Sequence, residues 1–259
     1  TTDITVNLTI ASLIILGGIG FYVLSDIYRF VTGKKQQMSY QTKVVCVVTL
    51  LLLVVGTIFF FVNEYGNPAT LGKYSLGNKL LISFFNSVTP RTAGFSTVPV
   101  AGFSTLTLLG IIALMFIGAS PGGTGGGVKT TTIAVFWAYL KKCVQGRKNI
   151  NLISRRITEA LLDRAIAITF LGIIFIGAIS FIIAYTDKSG FLEVLFETAS
   201  AFGTAGLTTG LTPYLSVFAK YLIMLTMFFG KIGVLTLILF FANIKKKPEV
   251  VLPSGELTT

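Results

Sequence analysis

The stretch that decides the fold is Phe84-Phe85-Asn86-Ser87-Val88-Thr89-Pro90-Arg91-Thr92-Ala93-Gly94-Phe95. The apolar run that enters it, Leu80 to Val88, is too short to cross a hydrocarbon core, which takes about 20 helical residues. It passes through Thr89-Pro90-Arg91 into a polar loop that carries one glycine. Irregular backbone at membrane depth is tolerated only where protein buries it or a watery cavity borders it, so the stretch reads as a re-entrant half-helix followed by an extended loop. An offset of 112 residues lays Phe84, Thr92-Ala93-Gly94 and Thr97 on Phe196, Thr204-Ala205-Gly206 and Thr209. The same ungapped offset lays Met115-Phe116-Ile117-Gly118 on Met227-Phe228-Phe229-Gly230. Two separated matches at one offset define a unit of span, half-helix, extended loop and span. Both units start at the same membrane face, so they are parallel repeats, unlike the inverted repeats of many transporters.

Outward from these loops, the composition agrees. The 259 residues are 53% hydrophobic and 12% charged, with a mean hydropathy of +0.82, which excludes an ordinary soluble domain. The expected class is an all-α polytopic membrane protein. Residues 1–30 carry a first apolar run, Leu8 to Phe30, without the basic start and small-residue cleavage site of a signal peptide; it reads as one span. Its Leu16-Gly17-Gly18-Ile19-Gly20 resembles Phe229-Gly230-Lys231-Ile232-Gly233, as if it closed an earlier unit. Residues 43–140 hold the next unit, with a span from Val44 to Val62, the loop at 91–95 and a broken helix at 118–132. A basic linker follows at 141–164, then a unit at 165–244 with spans Ala165 to Tyr185 and Tyr214 to Ile244 around the loop at 203–207, and a tail at 245–259.

The net charge of +11 invites a nucleic-acid reading, but 14 of the 21 basic residues fall in three segments between or after the apolar runs. These are Arg29 to Lys43, Lys141 to Arg164 and Lys245 to Lys247. This alternation is the positive-inside pattern, which places all three in the cytoplasm and excludes nucleic acid as the partner. Cys46 and Cys143 suggest no disulfide framework, and the absence of His removes the commonest metal ligand.

A half-helix followed by a loop with one Gly is what a cation filter needs, because backbone carbonyls there replace the water around an ion. One such loop cannot enclose an ion, so the loops must converge with others. Residues Gly118 to Gly127 hold six glycines and Pro121, too many for a regular helix. A phosphate-binding loop is disfavoured there: Val128 separates Gly127 from Lys129, no strand precedes it, and an ATP-driven pump is disfavoured with it. The segment reads as a flexible constriction. Lys231 in the last apolar run is costly in lipid and aligns with Ala119 at the start of the break, so it is expected to reach carbonyls the break sets free. Arg91 is expected to be held by half-helix carbonyls or by Glu197.

With these parts in place, the chain resembles the membrane subunit of the Ktr/Trk/HKT superfamily of potassium transporters, the NtpJ-like proteins included. The resemblance rests on Phe85 to Phe95, Gly122 to Thr130 and Phe202 to Leu207. It implies four repeats around one pore, of which this chain carries the C-terminal part, beginning near the end of the second. Thr92, Ala93, Gly94 and Phe95 would line the third filter, and Thr204, Ala205, Gly206 and Leu207 the fourth. Gly118, Gly122, Gly123, Thr124, Gly125, Gly126, Gly127 and Lys129 would belong to an intramembrane gating loop, and Lys231 would latch it where family members usually have Arg. The resemblance further implies potassium as the transported ion, with no covalent cofactor, and a plasma-membrane homodimer on a cytoplasmic nucleotide-binding ring of RCK/KTN type. The linker at 141–164 would dock that ring or bind anionic lipid. A cation transporter coupled to sodium or protons is the competing reading. Coupling to protons is disfavoured because Asp26 is the only acidic residue inside a span, near its cytoplasmic end.

Overall fold

The computed structural model describes residues 3–147 and 149–233. The tail at 245–259 and the expected span beyond Gly233 lie outside them. Helix α1 (Ile4–Ile19) starts at Asp3, whose side chain accepts from the Val6 amide at 3.1 Å. Helix α2 (Phe21–Val31) follows at once, bent by 103° from α1. The run from Leu8 to Phe30, expected as one span, is therefore not one continuous helix: it breaks at Gly20, which has φ +97°. The cause is local. A Cβ on Gly20 would lie 2.6 Å from the Pro121 carbonyl oxygen, and the Phe21 amide donates to the Gly122 carbonyl at 3.1 Å.

Among the described residues, two helices are long and apolar enough to cross a bilayer by themselves: α3 (Tyr40–Glu64) and, further on, α7 (Glu159–Asp187). Both turn large apolar residues outward, among them Leu50, Ile58, Phe170 and Phe181, as a lipid-facing helix must. Helix α4 (Leu76–Val88) follows α3, and α8 (Phe191–Gly203) follows α7. At 13 residues each, they reach about 20 Å, short of a core about 30 Å thick. Their polar residues point inward: Ser83, Asn86 and Ser87 in α4, and Glu197, Thr198 and Ser200 in α8, are all buried. This is the expected arrangement where the outside is hydrocarbon and the interior holds the polar groups.

Helix α5 (Thr105–Phe116) and helix α6 (Thr130–Val144) are separated by the Gly-rich segment. A two-stranded hairpin, β1 (Asn151–Leu152) against β2 (Arg155–Arg156), joins α6 to α7. Helix α9 (Val217–Ile232) ends at Gly233, whose φ of +95° nearly repeats the +97° of Gly20. The main core brings α3, α4, α5 and α8 together through Phe60, Ile82, Ile111, Met115 and Phe196, and includes Ala205 and Leu207 of the second polar loop. That loop is thus seated in the hydrophobic interior.

Asp26 of α2 accepts from the Ser39 amide at 2.7 Å and the Thr42 hydroxyl at 2.6 Å, and pairs with Lys35. These contacts clasp α2 to the start of α3.

Candidate functional site

Each half-helix delivers its C-terminus into a Thr-Ala-Gly loop with the same backbone. Among the described residues φ is positive at Thr92 (+72°) and Gly94 (+74°), and again at Thr204 (+51°) and Gly206 (+81°), while the alanine between each pair is not in that region. A β-branched residue rarely adopts positive φ, so both threonines hold strain, which persists only where the surroundings over-determine it. In the first loop the Thr89 hydroxyl donates to the Phe95 carbonyl, and the Ala93 amide to the Thr89 carbonyl at 3.2 Å. In the second, the Ala205 amide donates to the Ser200 carbonyl at 2.8 Å.

The loops meet. A Cβ on Gly94 would lie 2.7 Å from the Ala205 carbonyl oxygen, and one on Gly206 would lie 3.6 Å from the Gly94 Cα. Gly206 and Phe95 are exposed, Leu207 and Ala205 are buried, and Thr92, Ala93, Gly94 and Thr204 are half-buried. Each loop also borders an open cavity. One lies between Thr92, Ala93, Phe95 and Gly17; the other lies between Thr204, Gly206, Thr208 and Ile223.

The Gly-rich segment presses against the threonine end of both loops. A Cβ on Gly125 would lie 2.3 Å from the Thr92 Cγ2, and one on Gly126 would lie 2.9 Å from the Thr204 Cγ2. The segment closes on itself through Gly118 N to Val128 O (3.0 Å) and Val128 N to Phe116 O (2.9 Å), and the Ser120 and Thr130 hydroxyls are 2.8 Å apart. Its other bonds leave it in three directions. Ser120 N donates to Gly18 O at 2.9 Å, Gly126 N to the Thr204 hydroxyl at 2.8 Å, and Gly127 N to Gly230 O at 3.1 Å. Gly118, Gly125 and Gly126 are buried, Gly123 and Gly127 half-buried, Gly122 and Thr124 exposed.

Two lysines close the arrangement. The Lys231 ammonium donates to the Thr124 carbonyl, and the Lys129 ammonium donates to the next carbonyl, that of Gly125, at 2.8 Å. A helix break leaves carbonyls without intrahelical donors, and each costs several kcal/mol in lipid unless something bonds to it.

The expected contact between Arg91 and Glu197 is corrected. Arg91 is buried, and its guanidinium lies 3.5 Å from the Thr49 hydroxyl, while its Nε has no hydrogen-bond partner. Glu197 is saturated by the segment that follows the second loop: it accepts from the Thr208 hydroxyl, from the Thr209 amide at 3.0 Å and hydroxyl at 3.2 Å, and from the Thr212 hydroxyl. An aligned offset equates positions between units but carries no distance across them. The signal for the true partners was in the sequence, in the threonine-rich run Thr208-Thr209-Gly210-Leu211-Thr212.

Sequence reasoning also missed Glu64. This fully buried carboxylate ends α3 and accepts from Asn67 Nδ2 and Thr70 Oγ1, each at 2.6 Å, and from the Ser104 amide at 3.0 Å. It pins the connection that carries the chain from α3 to α4 and from the first loop to α5.

Comparisons with known proteins bear on the family and the fold. The profile of the TrkH family, described as cation transport protein, matches residues 1–251. Ktr system potassium uptake protein B of Bacillus subtilis is 39% identical over 99% of this chain and 57% of its own length. Ktr system potassium uptake protein B of Vibrio alginolyticus is 37% identical over 91% of this chain and 52% of its own. The potassium/sodium uptake protein NtpJ of Enterococcus hirae is 35% identical over 92% of this chain and 53% of its own. The chain spans about half the length of the curated relatives it matches. The crystal structure of the potassium transporter TrkH from Vibrio parahaemolyticus superposes with a TM-score of 0.71 at 17% identity, over 92% of this chain and 52% of that one. Apolar helices, half-length helices with inward polar faces and the profile match together make this chain a multi-pass helical membrane protein and a member of the TrkH family of cation transport proteins.

Proposed function

We propose that this chain supplies half of a potassium-conducting pore in the plasma membrane, with two of the four loops of a carbonyl selectivity filter and the loop that gates it. The observation that carries the reading is the pair of Thr-Ala-Gly loops with matching positive-φ residues, in contact at Gly94 and Gly206. Alternating the sign of φ turns successive carbonyls toward one side of a chain, which is how backbone oxygens replace an ion's water shell. The cavities beside each loop are where two further loops would complete the ring. Beneath the ring, Gly125 and Gly126 obstruct the path, held by Lys129 and Lys231. Conduction requires this loop to swing aside, and translocation of this kind involves no covalent chemistry and no bound cofactor. By the same resemblance the whole protein is a homodimer on a cytoplasmic nucleotide-binding ring of RCK/KTN type.

A second reading is cation uptake that also admits or is driven by sodium, favoured by the relative named for potassium and sodium. Potassium flux in liposomes holding the complete protein, with and without a sodium gradient, separates the two. Flux driven by the potassium gradient alone supports the channel-like reading. Flux that requires the sodium gradient overturns it.

A further inference from the structure

On the outer face of the α3–α6 pair, beside the hairpin, lies a groove of about 130 Å³ walled almost entirely by apolar groups. Val47 and Leu51 of α3, Ile133 and Trp137 of α6, and Leu152 and Ile153 of the hairpin form its walls. We propose that it holds one acyl chain of an anionic phospholipid of the cytoplasmic leaflet, whose phosphate is met by Lys141 and Arg155.

Three observations carry this. The first is the charge around the mouth. Lys141 lies four residues after Trp137, hence on the same helix face, and the two residues border one depression that has Trp137 in common with the groove. The Arg155 guanidinium lies 5.4 Å from the Tyr40 ring, and the Tyr40 hydroxyl donates to the carbonyl of the wall residue Leu152 at 3.1 Å. Lys43, exposed at the start of α3, adds a third cation at this level. Among the described residues no carboxylate lines the groove or the depression. Basic pockets between helices at the cytoplasmic side are the pattern that binds anionic headgroups.

The second is Trp137, 63% exposed, with Tyr139 two residues on in the same helix and Tyr40 bonded to the wall residue Leu152; amphipathic rings of this kind collect at the headgroup level. The third is Ile153. It is 55% exposed and has φ +52°, a conformation that is an outlier for a β-branched residue. A turn beside Arg155 and Arg156 that holds an isoleucine outward in a strained backbone makes sense if the isoleucine faces an acyl chain and the arginines face phosphate. The apolar walls exclude a soluble anion as the occupant, and the cationic mouth selects an anionic lipid over a zwitterionic one.

Quenching of Trp137 fluorescence by brominated lipid tests this, with the full-length protein in phosphatidylcholine liposomes and the Trp137 signal isolated by subtracting that of Trp137→Phe. Dibrominated phosphatidylglycerol is expected to quench at least about twofold more than dibrominated phosphatidylcholine at equal mole fraction. Lys141→Gln with Arg155→Gln should bring the two to the same level. Equal quenching in the unsubstituted protein would mean bulk lipid only and would overturn the proposal. Quenching by neither would mean that protein covers the groove, and would overturn it too. The decisive comparison needs no charge variant, and it does not depend on ion conduction.

Discussion

At the scale of single residues, the two glycines of the proposed filter are unequal, and this separates folding from selectivity. Gly94 combines φ +74° with a backbone oxygen 2.7 Å from any added Cβ, whereas Gly206, at φ +81°, has only ordinary contact at 3.6 Å. A left-handed residue with a side chain costs about 1–2 kcal/mol. Gly206→Ser bears mainly that cost, so the protein should fold and reach the membrane while its preference for K⁺ over Na⁺ falls in competitive flux measurements. Unchanged preference would remove Gly206 from the filter. Gly94→Ala should in addition lower the melting temperature, because the two loops must separate to admit the methyl group. Glu197 offers a different test. Its carboxylate collects donors from Thr208, Thr209 and Thr212, and hydrogen bonds to a charged group each contribute about 1.5–3 kcal/mol. Glu197→Gln should therefore speed hydrogen exchange at the Thr209 amide, and unaltered protection there would show that the segment is held by packing alone.

Among the elements, the Gly-rich segment and α9 form one device. Lys231→Ala, or deletion of Gly125 to Gly127, should raise K⁺ flux and weaken its dependence on a cytoplasmic partner with little change in selectivity. Both variants conducting at unaltered rates under unaltered control would mean the loop is not the gate. Much of this level can be read from the sequence, because hydropathy reports length: short apolar runs ending in Thr-Pro-Arg-Thr-Ala-Gly and Gly-Thr-Ala-Gly correspond to α4 and α8, and the glycine run to the break between α5 and α6. The bend at Gly20 could not be read that way. A hydropathy window has no direction, and what turns the chain is the backbone of Pro121 and Gly122, distant in sequence. Arg91 was misassigned for a related reason: a buried cation finds its partner by depth and side-chain reach, and Thr49 lies on a helix outside the aligned loops.

For the whole molecule, the hairpin end is predicted to be cytoplasmic. A single cysteine introduced at Asn149, exposed beside the hairpin, should resist an impermeant thiol reagent added outside intact cells and react once the membrane is opened. Labelling from outside would invert the topology. The Gly-rich loop also links parts of the molecule far apart in sequence, since it is bonded at once to the α1–α2 corner, to the second Thr-Ala-Gly loop at Thr204 and to α9. Contacts so distributed cannot be released one at a time without leaving buried polar groups unmet, and each amide–carbonyl bond is worth about 4–6 kcal/mol of interaction in an apolar medium. Opening of the proposed gate would then be a concerted step with a large activation enthalpy. Ion uptake should slow on cooling far more steeply than diffusion through a water-filled pore would require, and Lys231→Ala should flatten that Arrhenius slope: in this protein the gate would double as a thermometer.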